Sequence, residues 1–170
     1  TGITARGQLV ATFETAGSPV RLTSGQPRPF SFAAVNTPTL MNAPSSLFEV
    51  TVPEGARSLQ VKLNTTTPNA DVDLYLRLNG APSIVNGRVQ ADHASATEAG
   101  AESITVTAGS NPPLQPGTYT IALAVFTRDI AVEGTVEAVI ETEPSAAPTE
   151  PRTLTSGEPA HFTLSSVSEP

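Results

Sequence analysis

What most constrains this chain is a two-residue rhythm. Phe48, Val50 and Val52 alternate with Glu49 and Thr51, and Leu59, Val61 and Leu63 alternate with Gln60 and Lys62. Val72, Leu74, Leu76 and Leu78 share one phase; so do Ile104 and Val106, then Tyr119, Ile121, Leu123 and Val125, then Val136, Ala138 and Ile140. A strand sends successive side chains to opposite faces, so this period describes sheets with one buried and one solvated face. Turn signals punctuate the runs: Pro53-Glu54-Gly55, Asn79-Gly80, Asn86-Gly87 and Gln115-Pro116-Gly117. Each supplies residues that bend the backbone cheaply, and Pro116-Gly117 reads as a type II turn with its glycine at positive φ. Only residues 91–102, "ADHASATEAGAE", have the composition of a short helix, and they lack an apolar stripe. The pattern predicts an all-β fold, an antiparallel β-sandwich of jelly-roll type, with strands centred near 50, 61, 75, 105, 122 and 138. Tyr75 and Tyr119 fall within strand patterns and are expected to pack against the core, not to stack on a ligand.

Composition narrows the function. A net charge of −7 opposes nucleic acid, whose phosphates need a basic face, and opposes an electrostatic hold on anionic lipid. No cysteine is present, which removes disulfides, thiolate metal sites and cysteine nucleophiles. No apolar run reaches the length of a membrane span, the "IALAV" of 121–125 being strand-sized. Neither H-E-x-x-H nor G-x-S-x-G occurs, and His93 and His161 lie far apart in the sequence. His93, in an Ala/Ser-rich stretch, is expected to be solvated.

The chain also repeats itself. Residues 22–38, "LTSGQPRPFSFAAVNTP", align without a gap on 154–170, "LTSGEPAHFTLSSVSEP", and eight of the 17 positions are identical. Residues 1–15 align on 128–142, with Ile3, Gly7, Ala11, Glu14 and Thr15 recurring. This predicts a tail strand of a preceding repeat at 1–15 and a complete sandwich at 20–142. A Pro-rich linker at 143–153 and the start of a following repeat at 154–170 complete the division.

Four short motifs stand in a fixed order: Asp71-Val72-Asp73-Leu74-Tyr75, Gly80-Ala81-Pro82, Glu102-Ser103 and Pro116-Gly117-Thr118-Tyr119. Over roughly residues 22–142 the chain resembles the bacterial pre-peptidase C-terminal domain, a β-sandwich found beside secreted proteases and other exported enzymes. Many protease-linked members carry a cysteine pair between the aspartate strand and the glutamate, and this chain has none. The resemblance implies a non-catalytic accessory domain, extracellular or at the cell surface, often present in multiples. Relatives in collagenases bind collagen and calcium.

The chemistry of the first motif has two readings. On a strand Asp71, Asp73, Tyr75 and Arg77 share the face opposite Val72 to Leu78. In one reading Asp71 or Asp73 accepts backbone N–H groups from a neighbouring loop or pairs with Arg77. In the other, Asp71, Asp73, Asp92 and Glu102, with Glu98 as a further donor, hold Ca²⁺, whose six to eight oxygen ligands can come from separate loops. An EF-hand is excluded, because a loop starting at Asn69 would place Leu74 sixth and Gly80 twelfth. The resulting expectation is a module acting as spacer, stabiliser or adhesive contact, with neighbouring repeats as partners. The rival is a module binding an extracellular polymer or protein, collagen or polysaccharide in kind, which needs an exposed aromatic row.

Overall fold

The computed structural model describes residues 17–142. The segments at 1–15, 143–153 and 154–170, and with them the expected tail strand, linker and following repeat, lie outside the described residues. β1 (Val20–Arg21), β2 (Arg28–Phe32) and β3 (Thr39–Met41) precede a 3₁₀ turn at Pro44–Ser46. β4 (Phe48–Val52), β5 (Ala56–Thr65) and β6 (Val72–Leu78) follow, then the short β7 (Ser83–Val85), β8 (Arg88–Gln90) and β9 (His93–Ser95). β10 (Ala101–Thr107), β11 (Gly117–Val125) and β12 (Val132–Thr142) complete the described strands.

The strands form two facing sheets. One runs β1-β4-β11-β6-β9, with β3 beside β11; the other runs β10-β5-β12-β2, and β7-β8 stands apart as a hairpin. Pairing is antiparallel apart from the parallel contact of β1 with β4. The fold is the antiparallel β-sandwich that the alternation predicts, and the inward phases are those written in the sequence. Leu59, Val61 and Leu63 face Leu74, Leu76, Ile121 and Leu123 in a core from which water is fully excluded. Each such side chain contributes roughly 1.5–3 kcal/mol by leaving water. Tyr119 is buried among them, and its hydroxyl accepts the Gln115 N–H at 3.1 Å.

A smaller apolar cluster lies on the opposite face of the first sheet. Ala122 and Ala124 alternate with inward Ile121 and Leu123, so they join Leu40 and Leu47 outside, with Tyr75 and Val89 packed against them. Gly117 opens β11 at φ 140, and a Cβ there would stand 2.9 Å from Leu78 Cδ1, which explains the glycine of the Pro-Gly turn.

The helix considered at 91–102 is replaced by strand. His93–Ser95 pairs with β6, and from Ala101 the chain pairs with β5. The physical reason lies in the phase of Glu102, Ile104 and Val106, which alternate inward and continue into a strand. Among the described residues no helix is long and apolar enough to cross a membrane.

The two sheets share two lateral edges. β1 and β2 lie at one, β9 and β10 at the other, and the chain steps from sheet to sheet along each. The second crossing brings Glu98 and Glu102 near Asp71.

Candidate functional site

β6 begins beside the β11–β12 loop. The Asp71 N–H donates to Thr127 Oγ1 at 2.7 Å, and the Asp71 carbonyl accepts the Phe126 N–H at 3.0 Å. Strand alternation then puts Asp73 on the same outer face as Tyr75. The β9–β10 loop lies beside it, and Asp73 is only 6% exposed. The Tyr75 hydroxyl donates to Asp73 Oδ2 at 2.8 Å. Asp71, Asp73, Ala96, Thr97, Glu98 and Phe126 line a shallow recess of about 230 Å³.

The electrostatics of this recess follow from partial burial of like charges. Burial pushes the Asp71 carboxyl above the ordinary carboxylate range, and Glu98 and Glu102 push it further. Burial also raises Asp73; the Tyr75 hydrogen bond pulls it back in part, while Asp71 and Glu102 add to the rise. Burial and the neighbouring Asp73 raise the Tyr75 phenol in turn.

Glu102 plays a different part. It lies opposite Leu63 on the inner face of β10 and is 4% exposed. Its Oε2 accepts the Ser95 hydroxyl, and its Oε1 accepts both the Thr97 hydroxyl and, at 3.0 Å, the Thr97 N–H. Both carboxylate oxygens are therefore committed to the β9–β10 crossing. A buried carboxylate is tolerable only when satisfied in this way.

Asp92 lies towards the other end of β6 from Asp71. Its Oδ2 accepts the Leu78 N–H at 2.8 Å, and its own N–H donates to the Leu76 carbonyl at 2.8 Å. The role foreseen for Asp71 or Asp73, accepting backbone N–H groups from a loop, thus falls to Asp92 and Glu102. Arg77, the expected ion partner, donates from Nη1 to the Ala81 carbonyl at 3.3 Å.

The fold therefore gathers Asp71, Asp73 and Glu98 with Glu102 nearby, and leaves Asp92 apart. Among the described residues no group of three or more His, Asp or Glu side chains is arranged to hold a metal ion. Asp73 Oδ2 and both Glu102 oxygens accept protein donors, and Asp71, Asp73 and Glu98 are the carboxylates that line the recess.

His93 is a correction. It is half-buried rather than solvated: its register partner is the inward Leu76, and Nε2 is buried with no hydrogen-bond partner. Burial lowers its pKa, and neighbouring Asp92 opposes this only in part. Composition concealed it, because the Ala/Ser-rich surroundings read as loop. Glu102 carried a usable signal: it shares the phase of Ile104 and Val106, so the alternation itself put a carboxylate on the buried face.

No curated protein matches the sequence. Among solved structures, the pre-peptidase C-terminal domain of a collagenase from Bacillus anthracis is similar, at a TM-score of 0.47 and 9% identity, covering 76% of this chain and 100% of that one. Over residues 44–124, from the 3₁₀ turn into β11 and including every acidic residue discussed above, the chain matches the family model of the bacterial pre-peptidase C-terminal domain.

Proposed function

We propose that this is a non-catalytic accessory β-sandwich of a larger exported bacterial protein, one of a tandem series, acting as spacer, stabiliser or adhesive contact. One observation carries the tandem part. The residues that recur at 154–170 and those that recur at 1–15 have counterparts that touch each other across β2 and β12. The Gly25 N–H donates to the Ala138 carbonyl at 2.8 Å, and Phe30 pairs in register with Gly134. A Cβ on Gly134 would collide with the Asn64 carbonyl oxygen and stand 2.8 Å from the Phe30 ring, so the position where the ring packs admits no side chain. Gly25 and Phe30 recur as Gly157 and Phe162; Gly134 and Ala138 recur as Gly7 and Ala11. Repetition of both sides of one contact is what copies of a whole module would leave in the sequence. The family match over 44–124 supports the accessory and exported parts, since such domains accompany secreted proteases.

Limited proteolysis tests the reading. Cleavage is expected first in 143–153, leaving a stable fragment from about residue 20 to 142. Unfolding of that fragment on removal of the two ends would refute the module boundaries.

A polymer-binding role is second. Phe126, 39% exposed beside the acidic recess, is the observation that favours it. The other large exposed apolar residues among those described, Ile84, Val85 and Ile130, are aliphatic and supply no aromatic row. Retention on insoluble collagen or polysaccharide that is lost in Phe126→Ala would bring this role to the front.

A further inference from the structure

Asn-Gly occurs twice in the sequence, at Asn79-Gly80 and Asn86-Gly87, and the fold treats the two differently. Asn79 ends β6 against β11: its N–H donates to the Thr118 carbonyl at 2.8 Å, and its Oδ1 accepts the Thr118 N–H at 3.4 Å. Asn86 and Gly87 form the tip of the β7–β8 hairpin, which among the described residues pairs with neither sheet. Both are exposed, and a Cβ on Gly87 would meet nothing within 4 Å. Their φ values, 51 and 73, are those of the tight turn that Asn-Gly favours between paired strands. We propose that Asn86 is a site of spontaneous covalent modification, where water converts the side-chain amide into an acid by way of a cyclic imide formed with Gly87.

Glycine brings no Cβ to crowd the attacking nitrogen, so ring closure at Asn-Gly meets little steric resistance. The Gly87 backbone nitrogen gives its proton to water and bonds to Asn86 Cγ. The bond from Cγ to Nδ2 breaks, and Nδ2 takes up a proton and leaves as ammonia. Water then opens the five-membered imide. Attack at Cγ returns an aspartate in the normal chain, and attack at the backbone carbonyl leaves an isoaspartate, whose main chain runs through the former side chain. One water is consumed, one ammonia is released, and nothing is oxidised or reduced.

The closed turn withholds this reaction. In the left-handed conformation the next nitrogen lies on the far side of the Cα–C bond from the side chain, so ring closure needs the hairpin open. Opening is cheap here. Three register pairs hold the hairpin, Ile84 and Val85 are 55% and 50% exposed, and Val89 is the side chain packed against the outer cluster. A lone two-stranded hairpin is marginally stable in water. Freeing Asn79 instead means peeling the end of β6 from β11, where Leu78 pairs with the buried Tyr119. Isoaspartate adds a methylene to the main chain, which a two-residue turn does not accommodate. Modification therefore leaves the hairpin open and puts a negative charge beside Arg88.

Trypsin cleaves after Arg77 and Arg88, so one peptide, residues 78–88, reports both sites. The full chain is incubated in mildly alkaline buffer at physiological temperature, and fragmentation mass spectrometry assigns the new acid to position 79 or 86. In the folded chain Asn86 is expected to convert about tenfold or more faster than Asn79, giving isoaspartate as well as aspartate. The free 78–88 peptide should convert at both sites at similar rates. Equal rates in the folded chain, or an Asn86 that outlasts Asn79, would overturn the proposal, and aspartate as the sole product would overturn the imide. Ser83→Cys with Gln90→Cys, at directly paired positions, locks the hairpin by a disulfide in a chain that has no other cysteine. Locking should slow Asn86 roughly several-fold, leave Asn79 unaffected, and be reversed by reduction. An unchanged Asn86 rate in the locked hairpin would overturn the opening step.

Discussion

The two lateral edges of the sandwich solve one problem in opposite ways. Each must close the gap between sheets and hide the strand ends from water. At the β1–β2 edge closure is apolar: Phe30 and Phe32, with ring centroids 5.0 Å apart, lie against a β12 thinned by Gly134. At the β9–β10 edge closure is polar: Glu102 gathers the Ser95 hydroxyl and the Thr97 hydroxyl and N–H, and His93 leaves a buried nitrogen without a partner. Apolar burial is non-directional, so the first edge is stabilised in proportion to the surface that its rings keep from water. The polar edge depends on particular donors and acceptors, so it defines one loop arrangement and is sensitive to protonation.

The largest effect is expected from Phe30→Ala, which empties the apolar edge and should cost roughly 3–5 kcal/mol, read as a lowered urea midpoint. A change near zero would mean that Phe30 does not close this edge in solution. Glu102→Ala comes next. It leaves the Ser95 hydroxyl and the Thr97 hydroxyl and N–H without their charged acceptor and should cost about 2–3 kcal/mol, whereas Glu102→Gln, which keeps an acceptor, should recover about half of the loss. If both variants are equally unstable, the carboxylate charge matters more than the hydrogen bonds.

A smaller effect is expected from pH. The folded state lowers the His93 pKa, so the stability at stake is present above the unfolded value near 6.5 and is lost as pH falls through the folded value. His93→Gln should flatten the melting temperature between pH 7 and 5; an unchanged slope would place the acid sensitivity elsewhere. Asp71 and Asp73 have the opposite sign: the folded state raises both, so their contribution is present below about pH 4 and is lost as pH rises through the folded values. Asp73→Asn is therefore expected to leave the protein no less stable at pH 7.

The smallest effect is expected from calcium. Millimolar Ca²⁺ should leave the melting curve unchanged, because Glu102 and Asp92 are engaged as acceptors for protein donors. A rise that disappears in Asp73→Asn would instead make Asp71 and Asp73 metal ligands.

Six strands, near 50, 61, 75, 105, 122 and 138, were legible because alternation is a local property of an extended chain. Leu63, Leu74, Leu76, Ile121 and Leu123 were placed inside by phase alone, and all five are fully buried. The short β7, β8 and β9 were not legible, since three residues are too few to display a period. The site was legible only in part. Asp71 and Asp73 stood out as charges in an apolar run, and their common outer face followed from strand geometry. Their raised proton affinity did not, because it comes from Glu98 and Glu102, which the β9–β10 crossing brings near.

The sequence by itself determined which side chains face inward and that the two ends resemble stretches of the centre, because period and similarity need no knowledge of partners. Only the tertiary structure decided what each acid does. Asp92 caps the end of β6, Glu102 ties two sheets together, and Asp71 and Asp73 share a crowded recess. Those roles depend on neighbours that strand pairing brings from distant parts of the chain, and a carboxylate's chemistry is set by whichever donors and charges surround it.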